Sequence, residues 1–461
     1  VSQNVSRPAV VDGRPHAGDE ETGARLGHPV GWQLLEGTVA RIELAWPTSG
    51  LPHGAFRPTV SLDVTAAPTG PDAPAARSRE VVSHLLGAVP GTHVLSLDLV
   101  TLGDGLQGRR LVAVQRRRPH TVQTTLWWTV YGGIATTVTA TCALEHVEAT
   151  TDAVGRCVDG FHPASRLPFG TAGSAGSREA GEAPLDPHAA AAGLRLEELS
   201  WIRSAQPFRT QGPTLPARGW GLLLEALRQR IVPGHRDEPA RSHCERLVQW
   251  DLLSGDGRLT ERGDAVAQIL ARPVAVLRAD AGGRHRAHTM QAAIGNGIAA
   301  VLSTPGLRDD PEAELGGPGA DSPLTLDIVE PSWVPAAVAS WAQICPAWLF
   351  GPLPEKLDRG RVMARAEDPS TPAPPQADPT LRAVWAQPWV MWGLKSRHGS
   401  GSDRESTGDL DRLLVLRAGD RGTFLIGSVE GDGSAVTIRP APSYLLWRQL
   451  CRITYRARAR E

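Results

Sequence analysis

Two hydrophobic periods alternate along the chain. After Arg57-Pro58, Val60, Leu62 and Val64 alternate with Ser61, Asp63 and Thr65, the period-two signature of a strand with one buried face. Residues 75–89 switch to helical spacing, with Val81, Val82, Leu85, Leu86 and Val89 on one side. Four strands are then predicted in series over 95–99, 111–115, 122–130 and 134–142. The second follows the turn Gly103-Asp104-Gly105, and the last follows a Tyr131-Gly132-Gly133 hairpin turn. Residues 146–158 can close this part as a helix. Trp127 and Trp128 fall on opposite faces, so one is expected in the core and the other as an exposed contact or beneath the helix.

The second half begins with a strand and helix over 194–204 and helices over 220–232 and 240–253. Thr260 can cap a further helix that Arg272-Pro273 stops. Short strands follow, punctuated by Gly282-Gly283 and Gly295-Asn296-Gly297. Residues 324–329 read as a strand and 335–345 as a helix. Residues 413–417, 423–429 and 435–438 form a small sheet across two turns, with Ser443 capping a helix over 444–455. Pro- and Gly-rich tracts at 305–322 and 365–380 lack periodicity and read as loops.

The expected fold is therefore α+β, with two domains, each a mainly antiparallel sheet with flanking helices. Residues 1–28 read as a disordered leader, 29–163 as the first domain, 164–192 as a flexible linker and 193–461 as the second domain. With 461 residues there is ample chain for two cores.

Composition narrows the function classes. Net charge is −1, so no global field recruits nucleic acid or an anionic membrane. The 5 cysteines are far apart and odd in number, which argues for reduced thiols. No apolar run of signal-peptide or membrane-spanning length occurs, and the expected location is cytoplasmic. Lys occurs only at positions 356 and 395, while Arg, Ala, Gly and Pro abound, a composition typical of a GC-rich, actinobacterial genome.

Candidate chemistry is sparse. Gly295-Asn296-Gly297-Ile298-Ala299-Ala300 fits a dinucleotide-binding variant, but Pro305 leaves no room for the helix that fingerprint needs, so a hairpin turn is expected. His285 and His288 sit in a Gly-led turn with no carboxylate or Cys cluster beside them, so they are expected as solvated loop residues, with no metal. Arg116, Arg117 and Arg118 read as a solvated strand end without the interleaved aromatics of single-strand binders. Ser174 lies in the linker, not on a strand-to-helix elbow, and Cys142 reads as a small core residue. No catalytic residue and no cofactor is assigned, and the expectation is a protein that is not an enzyme.

Two family resemblances add to this reading. Phe56, Arg57, Pro58, then Gly108, Arg109, Arg110, Leu111, then Trp128, Gly132, Gly133 and Thr139 follow an ordered succession of motifs. That succession resembles the LpqN/DcrB-like group with the PsbP-type fold. In the second half, a helix ends in a Gly-Asp-Gly turn, and a second helix runs into a strand through Arg272, Pro273, Val276, Leu277 and Arg278. Near the end stand Gly422, Phe424, Leu425 and Ile426, then Val436, Thr437, Ile438 and Pro440. This order resembles the EspG family, cytosolic chaperones of actinobacterial type VII (ESX) secretion that are built of two pseudo-related halves.

The EspG resemblance implies a chaperone or adaptor for secreted helical-hairpin proteins of PE/PPE or WxG type; from charge and hydropathy, no nucleic-acid partner and no membrane span are expected. It also implies that the loop carrying Asp280, Gly282, Gly283, Arg284, His285 and Arg286 helps to grip the client. The alternatives are an LpqN/DcrB-like envelope-associated binding or scaffold protein, and a small-molecule enzyme.

Overall fold

Antiparallel pairing builds both parts of the chain. The structure, a computed structural model, describes residues 9–11, 14–19, 21–35, 41–51, 54–70, 72–165, 200–229, 238–285, 288–308, 322–346, 356–398, 412–429 and 431–458. They fall into two compact units, Val1–Gln206 and Pro207–Glu461. The α+β expectation holds in both, with helices flanking antiparallel sheets. The expected linker over 164–192 lies almost wholly outside the described residues.

The first unit opens with β1 (Ala9–Val11), β2 (Arg14–Gly18) and β3 (Arg25–Gly27), which pair in that order as a small sheet. This corrects the disordered reading of 1–28 for its described residues. Ala17, Ala24 and Leu26 are buried. Arg25 exchanges backbone hydrogen bonds with His162 at 3.0 and 2.9 Å. The segment has few apolar residues, but Ala17, Ala24 and Leu26 all enter the core of this unit.

The main sheet contains β4 (Gln33–Leu35), β5 (Arg41–Ala45), β6 (Thr59–Ala66), β7 (His93–Leu102), β8 (Leu106–Arg117), β9 (His120–Tyr131) and β10 (Ile134–Ala143), in spatial order β4-β5-β6-β10-β9-β8-β7. The β9–β10 hairpin closes through Gly132 (φ 56°) and Gly133 (φ 76°), left-handed positions that favour glycine. Helix α2 (Val147–Asp159) packs on one face, where Val60, Leu62, Val138 and Ala140 meet Ala153, Cys157 and Phe161. Helix α1 (Ala73–Ala88) lies toward β7 and β9 and buries Val81 and Val82. Trp127 packs against the α2-side core, whereas Trp128, on the opposite face, is 1% exposed. Helix α3 (Ser200–Ala205) and Gln206 belong to this unit.

The second unit is one ten-stranded sheet, and the expected small terminal sheet is part of it. Its strands are β11 (Thr214–Pro216), β12 (Ala275–Ala281), β13 (Thr289–Gly295), β14 (Ile298–Ser303), β15 (Pro323–Val329), β16 (Leu357–Asp358), β17 (Trp389–His398), β18 (Arg412–Ala418), β19 (Thr423–Val429) and β20 (Asp432–Pro440). The order is β11-β15-β14-β13-β12-β17-β18-β19-β20-β16. A meander from β12 to β15 closed by β11 is thus joined to a meander from β17 to β20 closed by β16. The seam is the antiparallel β12–β17 pair. Among the described elements the two halves repeat one topology that no sequence repeat announces.

Helices follow the same plan. Helices α4 (Ala217–Gln229), α5 (Glu238–Gln249) and α6 (Glu261–Ala271) precede the first meander. Their Trp220, Leu223, Leu247, Val266 and Ile269 pack with Ala293, Ala300 and Leu326 of the sheet. Helices α8 (Arg359–Glu367) and α9 (Pro379–Trp385) precede the second, and Val362, Leu381 and Trp385 pack with Trp389, Met391, Leu416 and Phe424. The Pro-rich tract 365–380 is therefore not all loop, since it holds the end of α8 and the start of α9. Helices α7 (Val334–Trp341) and α10 (Ser443–Arg458) follow the two meanders, contact each other and cover the opposite sheet face. There Leu277, Ala279, Trp392, Leu394 and Val415 are buried. The Thr260 cap is present, its hydroxyl accepting from the Gly263 N–H at 3.0 Å. Ser443 instead donates to the Cys345 carbonyl at 2.8 Å, so its hydroxyl ties α10 to the segment after α7.

Candidate functional site

The predicted gripping loop joins β12 to β13. Asp280, the last but one residue of β12, accepts Arg278 Nε on both carboxylate oxygens at 2.9 Å and the Thr289 hydroxyl at 2.9 Å. Gly282 donates its N–H to the Met391 carbonyl at 2.7 Å, which extends the β12–β17 seam by one residue. Gly283 has φ +60°, and a Cβ there would sit 2.3 Å from the Ala366 carbonyl oxygen of α8. Only glycine allows this approach. The loop is therefore docked against α8 and is not a free hairpin tip. Arg284 is exposed. His285 ends a 3-10 turn, and Arg286 lies outside the described residues.

Beneath this loop Arg365 of α8 is buried. Its guanidinium donates to the Trp385 carbonyl at 3.1 and 2.9 Å and to the Gln387 carbonyl at 2.7 Å. Its Cζ stands 5.3 Å from the Trp389 ring centroid, within cation–π range. Burial, and then the charge of Arg284, lower its pKa from the ordinary arginine value. The buried cation is solvated by carbonyls and an aromatic face, which ties α8 to the end of α9 and to β17.

The second structural feature was not singled out in the sequence. Strand alternation places Arg278, Asp280, Gly393, Lys395, Arg397, Arg412 and Leu414 on one face of the central strands. This is the face on which the two helical clusters pack, one over β13 and β14, the other over β17 to β19. Neither cluster reaches the middle. Arg278, Lys395, Arg397 and Arg412 are exposed, and Leu414 is 39% exposed. Leu302 and Ile426 lie half-buried at the margins. Among the described residues the result is a bare strip of sheet between two helical walls.

Register makes the strip electropositive. Arg278 lies directly opposite Lys395, and Lys395 directly opposite Arg412. Like charges in direct cross-strand pairs oppose sheet formation. Among the described residues the ion pair formed by these side chains is Arg278 with Asp280. The signal available in the sequence was weak. Charges at alternate positions 395 and 397 mark a half-exposed strand, but pairing with 278 and 412 cannot be read from local pattern.

Other sequence candidates resolve separately. Asn296 and Gly297 form a two-residue hairpin turn with φ 51° and 73°, and a strand follows where a nucleotide site needs a helix. His288 Nδ1 lies 2.9 Å from the Pro305 carbonyl oxygen. Among the described residues no group of three His, Cys, Asp or Glu could hold a metal. Arg117 donates to Gln115, and Arg110 pairs with Asp98 at 2.9 Å. Burial pushes Cys142 up to about 12, as expected of a core thiol. Ser174 lies outside the described residues. No helix of the described residues is long and apolar enough to cross a membrane.

The first unit carries a cleft of about 220 Å³ lined by Pro74, Gln107, Gly108, Arg109, Trp128 and Tyr131. The indole N–H of Trp128 makes no hydrogen bond there to any described residue.

No protein-family model and no curated protein matches this sequence. Solved structures similar to parts of it include LpqN of Mycobacterium tuberculosis, described as involved in cell envelope biogenesis. It is 18% identical, over 30% of this chain and 82% of that one, with a TM-score of 0.25. The cyanobacterial PsbP of Synechocystis is 12% identical over 35% and 97%, with a TM-score of 0.24. A Bacteroides thetaiotaomicron structure is 10% identical over 61% and 83%, with a TM-score of 0.22.

Proposed function

We propose that the protein is a non-enzymatic chaperone or adaptor for type VII secretion substrates, helical-hairpin proteins of PE/PPE or WxG type. The observation that carries the reading is the bare central strip of the ten-stranded sheet. Helices pack on that face to either side of the strip, and α7 and α10 pack on the other face at the sheet centre. A surface left open between two walls, with exposed Leu414 among fixed charges, is built as protein-binding surfaces are. The two topologically repeated halves of the unit accord with the EspG resemblance.

In this reading the loop with Asp280, Gly282, Gly283, Arg284, His285 and Arg286 borders the seat. Gly282 and Gly283 position it against β17 and α8, and Arg284 presents its charge to the client. A client tip covered in this way is kept from self-association. Co-expression with helical-hairpin proteins encoded beside it tests the proposal. A complex of defined stoichiometry by size exclusion with light scattering is expected. If no PE/PPE or WxG protein co-purifies with the intact chain, the reading falls.

A second reading rests on the first unit. The cleft at Trp128 pairs an apolar wall with an unpartnered indole donor, which favours a small ligand bearing an acceptor, as in an envelope-associated binding scaffold. Trp128→Phe, which removes the donor and keeps the ring, would abolish ligand-induced stabilisation of the unit if that reading holds.

A further inference from the structure

We infer that the bare strip recognises an acidic helical segment of a partner protein through Arg278, Lys395, Arg397 and Arg412. The inference rests on the binder reading and names the chemistry of the partner. Its basis is a local excess of positive charge: of these four cations Arg278 has an ion-pair partner among the described residues, Asp280, and no ion pair to a described residue is formed by the other three. Three cations occupy directly opposed positions on three neighbouring strands, and Arg397 stands two residues along β17 on the same face. Asp280 is committed to Arg278 and Thr289. The protein as a whole is almost neutral, at −1, so the strip is a local excess and not part of a basic molecule. Lys395 is one of only two lysines in the chain, at positions 356 and 395. Such an arrangement costs the free protein stability and is relieved when carboxylates cover it.

The form of the segment follows from the sheet. Strands β12, β17 and β18 are each paired on both sides, so a partner cannot join them as an added strand. It must be read through side chains. Opposed positions on neighbouring strands are about 5 Å apart, and carboxylates three or four residues apart on a helix are separated by about 5–6 Å. An acidic face with one Glu or Asp per turn therefore meets Arg278, Lys395 and Arg412 in succession. Leu414, with Leu302 and Ile426 at the margins, offers contact to apolar residues beside the acidic row. Aromatic side chains are missing from these strip positions, so the stacking platform that single-stranded nucleic acid requires is not provided.

The test uses the full chain and a fluorescein-labelled, alanine-based helical peptide with Glu at every fourth position. Fluorescence anisotropy should show binding that weakens as salt rises, and at least tenfold weaker binding by the Lys395→Glu, Arg412→Glu double variant. The milder Lys395→Gln, Arg412→Gln variant should show a smaller loss. Both residues are exposed, and circular dichroism should confirm an unchanged fold. Equal binding of a Gln-for-Glu peptide, or full binding by the charge-reversed protein, overturns the inference. So does a single-stranded oligonucleotide binding more tightly than the peptide at equal charge. Retention of a co-expressed client by the charge-reversed protein would remove the acidic-helix inference and leave the adaptor reading standing. Peptide binding without any type VII client would do the opposite.

Discussion

Gln206 uses both ends of its side-chain amide on one residue of the first unit, accepting from the Val94 N–H at 2.8 Å and donating to the Val94 carbonyl at 2.9 Å. Val94 lies in β7, an outer strand of the seven-stranded sheet, beside a register shift against β8. The amide copies the hydrogen bonds a further strand would make and closes the edge of the sheet where the ladder is irregular.

Gln206→Ala leaves two backbone groups of Val94 without these partners. Destabilisation of the first unit by about 1–3 kcal/mol is expected, with a raised tendency to aggregate. Urea unfolding followed by tryptophan fluorescence measures the first effect and light scattering at elevated temperature the second. An unchanged midpoint in both would show that the edge does not depend on this contact.

Two glycines with positive φ separate conformational cost from steric cost. Gly297 has φ +73° and open space where a Cβ would go, whereas Gly283 has φ +60° and the Ala366 carbonyl 2.3 Å from that point. Gly297→Ala should cost about 1–2 kcal/mol. Gly283→Ala carries that strain plus a backbone clash and should cost about 2–4 kcal/mol. Equal unfolding midpoints for the two variants would mean that the loop is not anchored on α8.

Lys395→Glu is expected to stabilise the second unit. It replaces two repulsive cross-strand pairs, with Arg278 and with Arg412, by attractive ones, each worth about 0.2–1 kcal/mol. Thermal unfolding at low and high salt is the measurement, and the gain should shrink as salt screens it. A destabilised variant would show that Lys395 is compensated by other groups of the chain.

Cys142 and Cys157 supply a pH dependence. Burial raises both thiols from 9.0 to about 12 in the folded protein. Unfolded thiols lose their protons first, near the ordinary value, so the folded form binds more protons from that point upward. The stability they contribute is complete below about pH 9 and falls progressively as pH approaches about 12. Urea midpoints between about pH 8 and about pH 10.5 should fall more steeply for the wild type than for a Cys142→Ala, Cys157→Ala variant, each compared with its own midpoint at about pH 8. Parallel slopes would rule the thiols out as the source.

Local rules carried much of the fold and little of the site. Alternation located β6, β9 and β10, and side-chain chemistry located the Thr260 cap and the Asn296-Gly297 turn, because each depends on residues close in sequence. The order of residues 14–27 was hidden because it comes from contact with a distant helix. A Cβ at Gly27 would lie 2.2 Å from the Arg156 carbonyl oxygen of α2. The β12–β17 pairing was hidden for a similar reason, since no hairpin turn joins Ala281 to Trp392 and sets their register. The strip exists only through that pairing, so its charges stayed scattered in the sequence. The Gly282-Gly283 loop is legible in the sequence, but its anchoring by Ala366 and Met391 depends on residues far along the chain.

The β12–β17 seam makes the second unit a homodimer in a single chain, in the sense of its geometry. Each half begins its meander on a strand whose outer edge is paired, among the described residues, by the other half. A polypeptide stopped after residue 346 would carry β12 as a raw edge, with Leu277 and Ala279 stripped of the helix α10 that helps to cover them. Its readiest cure is a second copy of itself, paired edge to edge about a twofold axis. Supplied with the missing piece as a separate chain, the same edge has its proper complement. Two fragments divided between α7 and β16 should therefore reassemble into one unit without a peptide bond between them.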